Sequence, residues 1–135
     1  MNFPEQFWQG VRQFNEGQFY ACHDTLEAIW LESIDPNKTF FQGILQIAVG
    51  YYHLSNHNWR GSVVLLGEGT NRLRRYRPSY GDIDVDAIFL SALETLQTLQ
   101  EAGEERVAEF AEKYGLNGRD PVLPVPRIRS IDRQE

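Results

Sequence analysis

The sequence predicts an all-α fold: a compact bundle of about five or six helices followed by an extended, Pro-rich C-terminal strap. Three observations predict it. Apolar residues recur at helical spacing from the first segment to Tyr114. Turn-forming runs interrupt that pattern at Asn15-Glu16-Gly17, Asp35-Pro36, Asn56-His57-Asn58 and Pro78-Ser79-Tyr80-Gly81-Asp82, and such short connections favour antiparallel neighbouring helices. Beyond Leu116, Pro121, Pro124 and Pro126 forbid a helix, although Val122, Leu123, Val125, Ile128 and Ile131 keep the segment apolar.

The elements follow in chain order. A first helix starts at Pro4, a good first-turn residue, and runs to Phe14. A second carries Phe19, Cys22, Leu26, Ile29 and Trp30 on one face and stops near Asp35-Pro36, because proline disfavours helix at the residue before it. The third, Thr39 to Asn56, is apolar nearly all round and so belongs at the centre of the bundle. The fourth, Trp59 to Tyr76, is amphipathic through Trp59, Val63, Leu66, Thr70 and Leu73, and its glycines 61, 67 and 69 suit close helix approach rather than a phosphate loop. Pro78 to Asp82 reads as a loop, and strands are otherwise unsupported. Asp84 caps a fifth helix lined by Ile88, Phe89, Ala92, Leu93, Leu96 and Leu99, which Gly103 ends. A short sixth helix carries Val107, Phe110, Ala111 and Tyr114, up to Gly115. Residues 1–115 thus form a bundle domain, and 116–135 a tail packed on the bundle or on a neighbouring subunit.

Composition excludes several functions. A chain of 135 residues suits one domain with a real core, and its net charge of -6 argues against non-specific nucleic-acid binding. Cys22 is the one cysteine, so no intrachain disulfide exists and a reducing, cytoplasmic setting is the simplest expectation. The N-terminus lacks the layout of a signal peptide. The uncharged stretch from Thr39 to Trp59 contains Gln42, Gln46, His53, Asn56, His57 and Asn58 and is too polar for a membrane span. The apolar tail and the prevalence of symmetric dimers point to a homodimer.

One polar constellation lies inside the apolar pattern. At roughly 100° per residue, His23 falls within the apolar stripe of the second helix and Glu27, one turn on, at its edge. Asp24 and Glu32 point away, to water. On the third helix, Gln42, Gln46 and His53 fall within an arc of roughly 40°. Buried polar groups need partners, so the two lines are expected to face each other and share hydrogen bonds. Three readings remain open: a network that fixes helix packing, a metal site using His23, Glu27 and His53 for Zn or Fe, and a metal-free pocket with a His23–Glu27 general base. No resident cofactor is expected. Cys22 and His23, adjacent on a helix, point about 100° apart and make no nucleophile–base pair. Arg72-Leu73-Arg74-Arg75-Tyr76-Arg77 reads as cations at a helix C-terminus or, more sharply, as an anion-binding patch.

At these residues the sequence resembles a known family. Phe14-Asn15-Glu16-Gly17-Gln18-Phe19-Tyr20-Ala21-Cys22-His23-Asp24-Thr25-Leu26-Glu27-Ala28-Ile29-Trp30 and Phe41-Gln42-Gly43-Ile44-Leu45-Gln46-Ile47-Ala48, continuing to His53, Asn58 and Gly61, are similar to the motifs of domain-of-unknown-function family 309. The resemblance covers Phe3 to Tyr76 and implies a small helical bundle without assigning a reaction. It marks Asn15, Gly17, His23, Glu27, Trp30, Gln42, Gly43, Gln46 and His53. Two positions depart from the family's pattern: Ala21 stands where Glu is frequent, and Asp24 where Glu is usual. The functional expectation is a helical module that is structural or binds a ligand or partner, with a metal- or His/Glu-assisted hydrolase as the alternative.

Overall fold

The computed structural model describes residues 2–131. Six α-helices occur among them: α1 (Glu5–Asn15), α2 (Phe19–Glu32), α3 (Asn37–Ser55), α4 (Trp59–Leu73), α5 (Val85–Ala102) and α6 (Val107–Lys113). The class is all-α, as the periodicity predicts. The helix ends differ in instructive ways. The second helix ends before Ser33, which is already extended. The third begins earlier than predicted because the Asp35 carboxylate accepts both the Thr39 N–H at 2.9 Å and the Thr39 hydroxyl at 2.6 Å, holding the first turn. The last turn of the predicted fourth helix tightens to a 3₁₀ turn at Arg74–Tyr76.

The predicted loop at Pro78 to Asp82 is instead part of a small antiparallel hairpin. Its strands β1 (Ser79–Tyr80) and β2 (Ile83–Asp84) pair Ser79 with Asp84 and Tyr80 with Ile83. Gly81 and Asp82 both have positive φ, 56° and 67°, which is what a two-residue hairpin turn needs. Strands this short carry no alternation for a periodicity argument to find. Asp84 then caps α5 by accepting the Ala87 N–H at 3.0 Å.

Helix α3 is the centre of the fold. It packs against α2 and α4 and also touches α6. Phe40, Ile44, Ile47, Ala48, Tyr51 and Leu54 are fully or almost fully buried. The Tyr51 hydroxyl meets Thr95 on α5 at 2.8 Å, so this buried phenol is satisfied. The Trp59 indole N–H donates to the Leu99 carbonyl at 2.8 Å and ties α4 to α5. The α3–α4 crossing is close: a Cβ on Gly69 would sit 2.9 Å from the Gly43 carbonyl oxygen, so the backbones meet this closely because residue 69 is glycine.

The strap seats on this chain's own bundle through Ile128, which is buried. The Asn15 side chain donates to the Ile128 carbonyl at 2.9 Å and accepts the Ile128 N–H at 2.7 Å, as a neighbouring strand would. The strap then runs beside β2: Asp84 N–H donates to the Arg129 carbonyl and Ile131 N–H to the Asp82 carbonyl, each at 2.9 Å. Of the predicted tail, residues 132–135 lie outside the described residues.

Candidate functional site

Three helices build the site. Helix α2 contributes Tyr20, His23, Glu27 and Trp30, α3 contributes Gln42, Leu45, Gln46, Val49, Tyr52 and His53, and α4 contributes Leu65. They form two hollows. One, of about 200 Å³, is lined by Tyr20, His23, Val49, Tyr52 and His53. The other, of about 240 Å³, is lined by Glu27, Trp30, Gln42, Leu45, Gln46 and Leu65. The hollows repeat by seven residues on both helices: Gln42, Leu45 and Gln46 become Val49, Tyr52 and His53, while Tyr20 and His23 become Glu27 and Trp30. A seven-residue shift is two helical turns, about 10 Å along the axis. On α2 the numbers rise in the direction in which they fall on α3, so the two walls are antiparallel.

All five residues predicted for the seam line this groove, but they do not pair as the helical phases predict. The groove is open: the His23 side chain is 26% exposed and Glu27 is exposed. His23 Nδ1 lies 3.2 Å from Asp24 Oδ1, the neighbour expected to point away. Gln46, only 8% exposed, turns to α4: its amide donates to Glu68 at 3.1 Å and its carbonyl oxygen accepts from Arg72 at 3.3 Å. Glu27 and Gln42 have no side-chain hydrogen bond among the described residues. Asp24 was expected to point to water, Glu68 was not singled out, and Arg72 was read as part of the basic run rather than as a partner of Gln46. The signal for the last two is the line Gly61, Leu65, Glu68, Arg72, spaced 4, 3, 4 on α4.

His53 is held from below by the turn into α4. The Gly61 N–H donates to Asn58 Oδ1 at 2.9 Å, which fixes the orientation of that amide. Asn58 Nδ2 then lies 3.3 Å from His53 Nδ1. An amide nitrogen only donates, so Nδ1 accepts and the ring proton sits on Nε2. A Cβ on Gly61 would meet the His53 ring at 2.8 Å, so the glycine is what lets the imidazole lie there. The spacing from His53 to Gly61 is therefore a positioning device for one ring.

The chemistry available is limited by its neighbours. Burial pushes the Cys22 thiol up to about 12, so it is a core residue and not a thiolate nucleophile. His23, Asp24 and Glu27 offer ligand atoms within 4.8 Å of one another on one helix turn, close enough together for one cation. Among the described residues this cluster does not include His53, in contrast to the predicted His23, Glu27 and His53 set. Trp30 Nε1 is buried with no acceptor among the described residues, and it belongs to a groove-lining side chain.

Fold and groove together define a class: a small helical bundle with an open, heptad-spaced groove at its centre. Residues 7–65 match the model of the family described as "Domain of unknown function (DUF309)", the family that the motifs resemble. The chain is also 27% identical over 103 residues to the "Uncharacterized protein YpuF" of Bacillus subtilis (strain 168), a match covering 73% of this chain and 57% of that relative. This chain thus aligns with a little over half the length of that curated relative. No solved structure matches. Among the described residues, no helix is long and apolar enough to cross a membrane.

Proposed function

We propose that the protein is a partner-binding module whose groove takes an amphipathic, basic helix from another protein. The observation that carries this is the seven-residue repeat of the two hollows on both α2 and α3. A helix laid between two antiparallel helices offers side chains at i and i+7 to successive hollows, as in helix-in-groove recognition. Tyr20, which lines the groove, is 56% exposed, and the helices that form the groove also expose Leu31 on α2 and Val64 on α4. The rim carries exposed Asp24, Glu27 and Glu68. This acidic rim favours lysine or arginine on the occupant and disfavours a second copy, which would bring the same acids against itself.

The test is titration of the full chain with a helical peptide bearing leucines at i and i+7 and lysines between them. The expected result is amide chemical-shift change confined to the groove, lost in Val49→Arg and weakened when glutamates replace the peptide's lysines. Shift changes elsewhere, or equal binding by Val49→Arg, would overturn the reading.

A second reading has its own observation, the His23, Asp24 and Glu27 cluster. With His23 as the imidazole ligand and two carboxylates beside it, a divalent cation such as Zn²⁺ would leave open coordination positions for a hydrolytic water. Calorimetric Zn²⁺ binding that disappears in His23→Ala supports it; unchanged binding in that variant counts against it. Self-association is a separate proposal resting on Val122 and Val125, which stay exposed on the strap. Sedimentation of a monomer at high micromolar concentration would refute it.

A further inference from the structure

Past Gln42 the groove opens into a broader cleft of about 590 Å³ lined by Thr39, Gln42, Asn71, Arg72, Arg74 and Arg75. That volume falls within the range of small-molecule sites, roughly 300 to 1,000 Å³. The cleft gathers cations on a chain whose net charge is -6. On such a chain, arginines near one another normally find carboxylates. Here Arg72, Arg74 and Arg75 have no ion pair among the described residues, whereas Arg77 of the same run is paired with Asp86 at 2.6 Å.

We infer that this cleft binds the phosphate group of a small phosphorylated metabolite, held by Arg72, Arg74 and Arg75. The arginines are already oriented. Arg72 Nη1 donates to Gln46 Oε1 at 3.3 Å, and Gln46 is itself oriented by donating to Glu68. One bond leaves four of the guanidinium's five N–H donors for a ligand. Arg74 lies over the Phe89 ring at 5.3 Å, and Arg75 over the Tyr76 ring at 5.4 Å. Holding the guanidinium planes in advance reduces the side-chain entropy lost on binding.

The polar wall adds neutral donors. Gln42 and Asn71 have no side-chain hydrogen bond among the described residues. Thr39 shapes the wall without donating, since its hydroxyl proton goes to Asp35. Asp35 is the acid that feels Arg75, but its Oδ1 accepts twice from Thr39 and it makes no ion pair among the described residues. The forked geometry of guanidinium matches phosphate oxygens two at a time. A compact anion is favoured over a nucleic acid, because a long polyanion would also meet the protein's net negative field.

The test uses the full chain and inorganic pyrophosphate at low ionic strength, followed by calorimetry and by the arginine Nε–H resonances. The expected dissociation constant is below about 1 mM. Arg74→Gln and Arg75→Gln should each weaken binding by about tenfold, the loss of one charge-assisted contact. Both side chains are exposed, and circular dichroism checks that the variants fold. Arg60→Gln, the same charge change at the other end of α4, should leave binding unchanged; equal weakening there would reduce the effect to diffuse charge and overturn the proposal. Absence of heat and of resonance shifts up to about 10 mM pyrophosphate would overturn it too. Citrate binding as tight as pyrophosphate would overturn the phosphate assignment. No peptide is involved, so the result is independent of the helix-binding reading.

Discussion

His23 and Gln46 show how far one side chain's partner can differ from its helical phase. Phase places a residue on a face of its helix but does not choose among the elements that the face meets. Gln46 lies where the third helix touches two others, and it bonds to α4 rather than α2. The two residues therefore belong to separate clusters. Gln46→Leu removes the groups that Glu68 and Arg72 use and should destabilise the fold by about 1 to 2 kcal/mol. His23→Ala, at a partly exposed site beside exposed Asp24, should cost less than about 1 kcal/mol. A shared network would make the double variant cost less than the sum. The separate partners predict additivity within about 0.5 kcal/mol, measurable by urea unfolding of the four proteins.

The order of the helices, their approximate boundaries and the central place of α3 were legible because they follow from spacing, caps and breakers that act within a few residues. Asp84 as a cap and Gly103 and Gly115 at helix ends are where the sequence puts them. The hairpin was not legible, since two residues per strand leave no period to read. Nor was the opening of the groove, because whether α2 and α4 close over α3 depends on packing between distant segments. The α4 glycines, expected together to allow close approach, differ in their surroundings. A Cβ at Gly69 meets backbone at 2.9 Å, whereas at Gly67 its nearest neighbour is Leu96 at 3.9 Å. Gly69→Ala should cost about 1 to 3 kcal/mol through overpacking, and Gly67→Ala should stabilise by about 0.5 to 1 kcal/mol through helix propensity. Thermal unfolding that moves both variants in one direction would contradict this. Helix α6 supplies a pH handle. Hydrogen bonds from Arg106 and then Lys113 hold the Glu109 carboxyl at about 2, below its ordinary 4.5. A depressed carboxylate pKa contributes stability that is present above the unfolded value and lost as pH falls through the folded one. Stability should therefore drop between those two pH values, and Glu109→Gln should flatten that part of the acid unfolding curve.

At the scale of the molecule, Asn15 joins positions 113 residues apart by two hydrogen bonds to one residue of the strap. Asn15→Ala should cost about 1 to 3 kcal/mol, because it leaves the partly buried amide of Ile128 without its partner. It should also speed hydrogen exchange at Ile128, Asp84 and Ile131, whose bonds depend on the seated strap, while Tyr51 and its helix stay protected. Unchanged exchange at those three amides would show that the strap holds without the clamp. The clamp has a further consequence in the time order of synthesis. Asn15 leaves the ribosome well before its partner, which does not exist until Ile128 has been made. A nascent chain can assemble its helices first and must wait, with the Ile128 seat uncovered, for the strap to arrive. A chain broken off before that residue keeps its bundle sequence and lacks its latch. Once closed, the latch covers apolar surface that chaperones and proteases would otherwise sample.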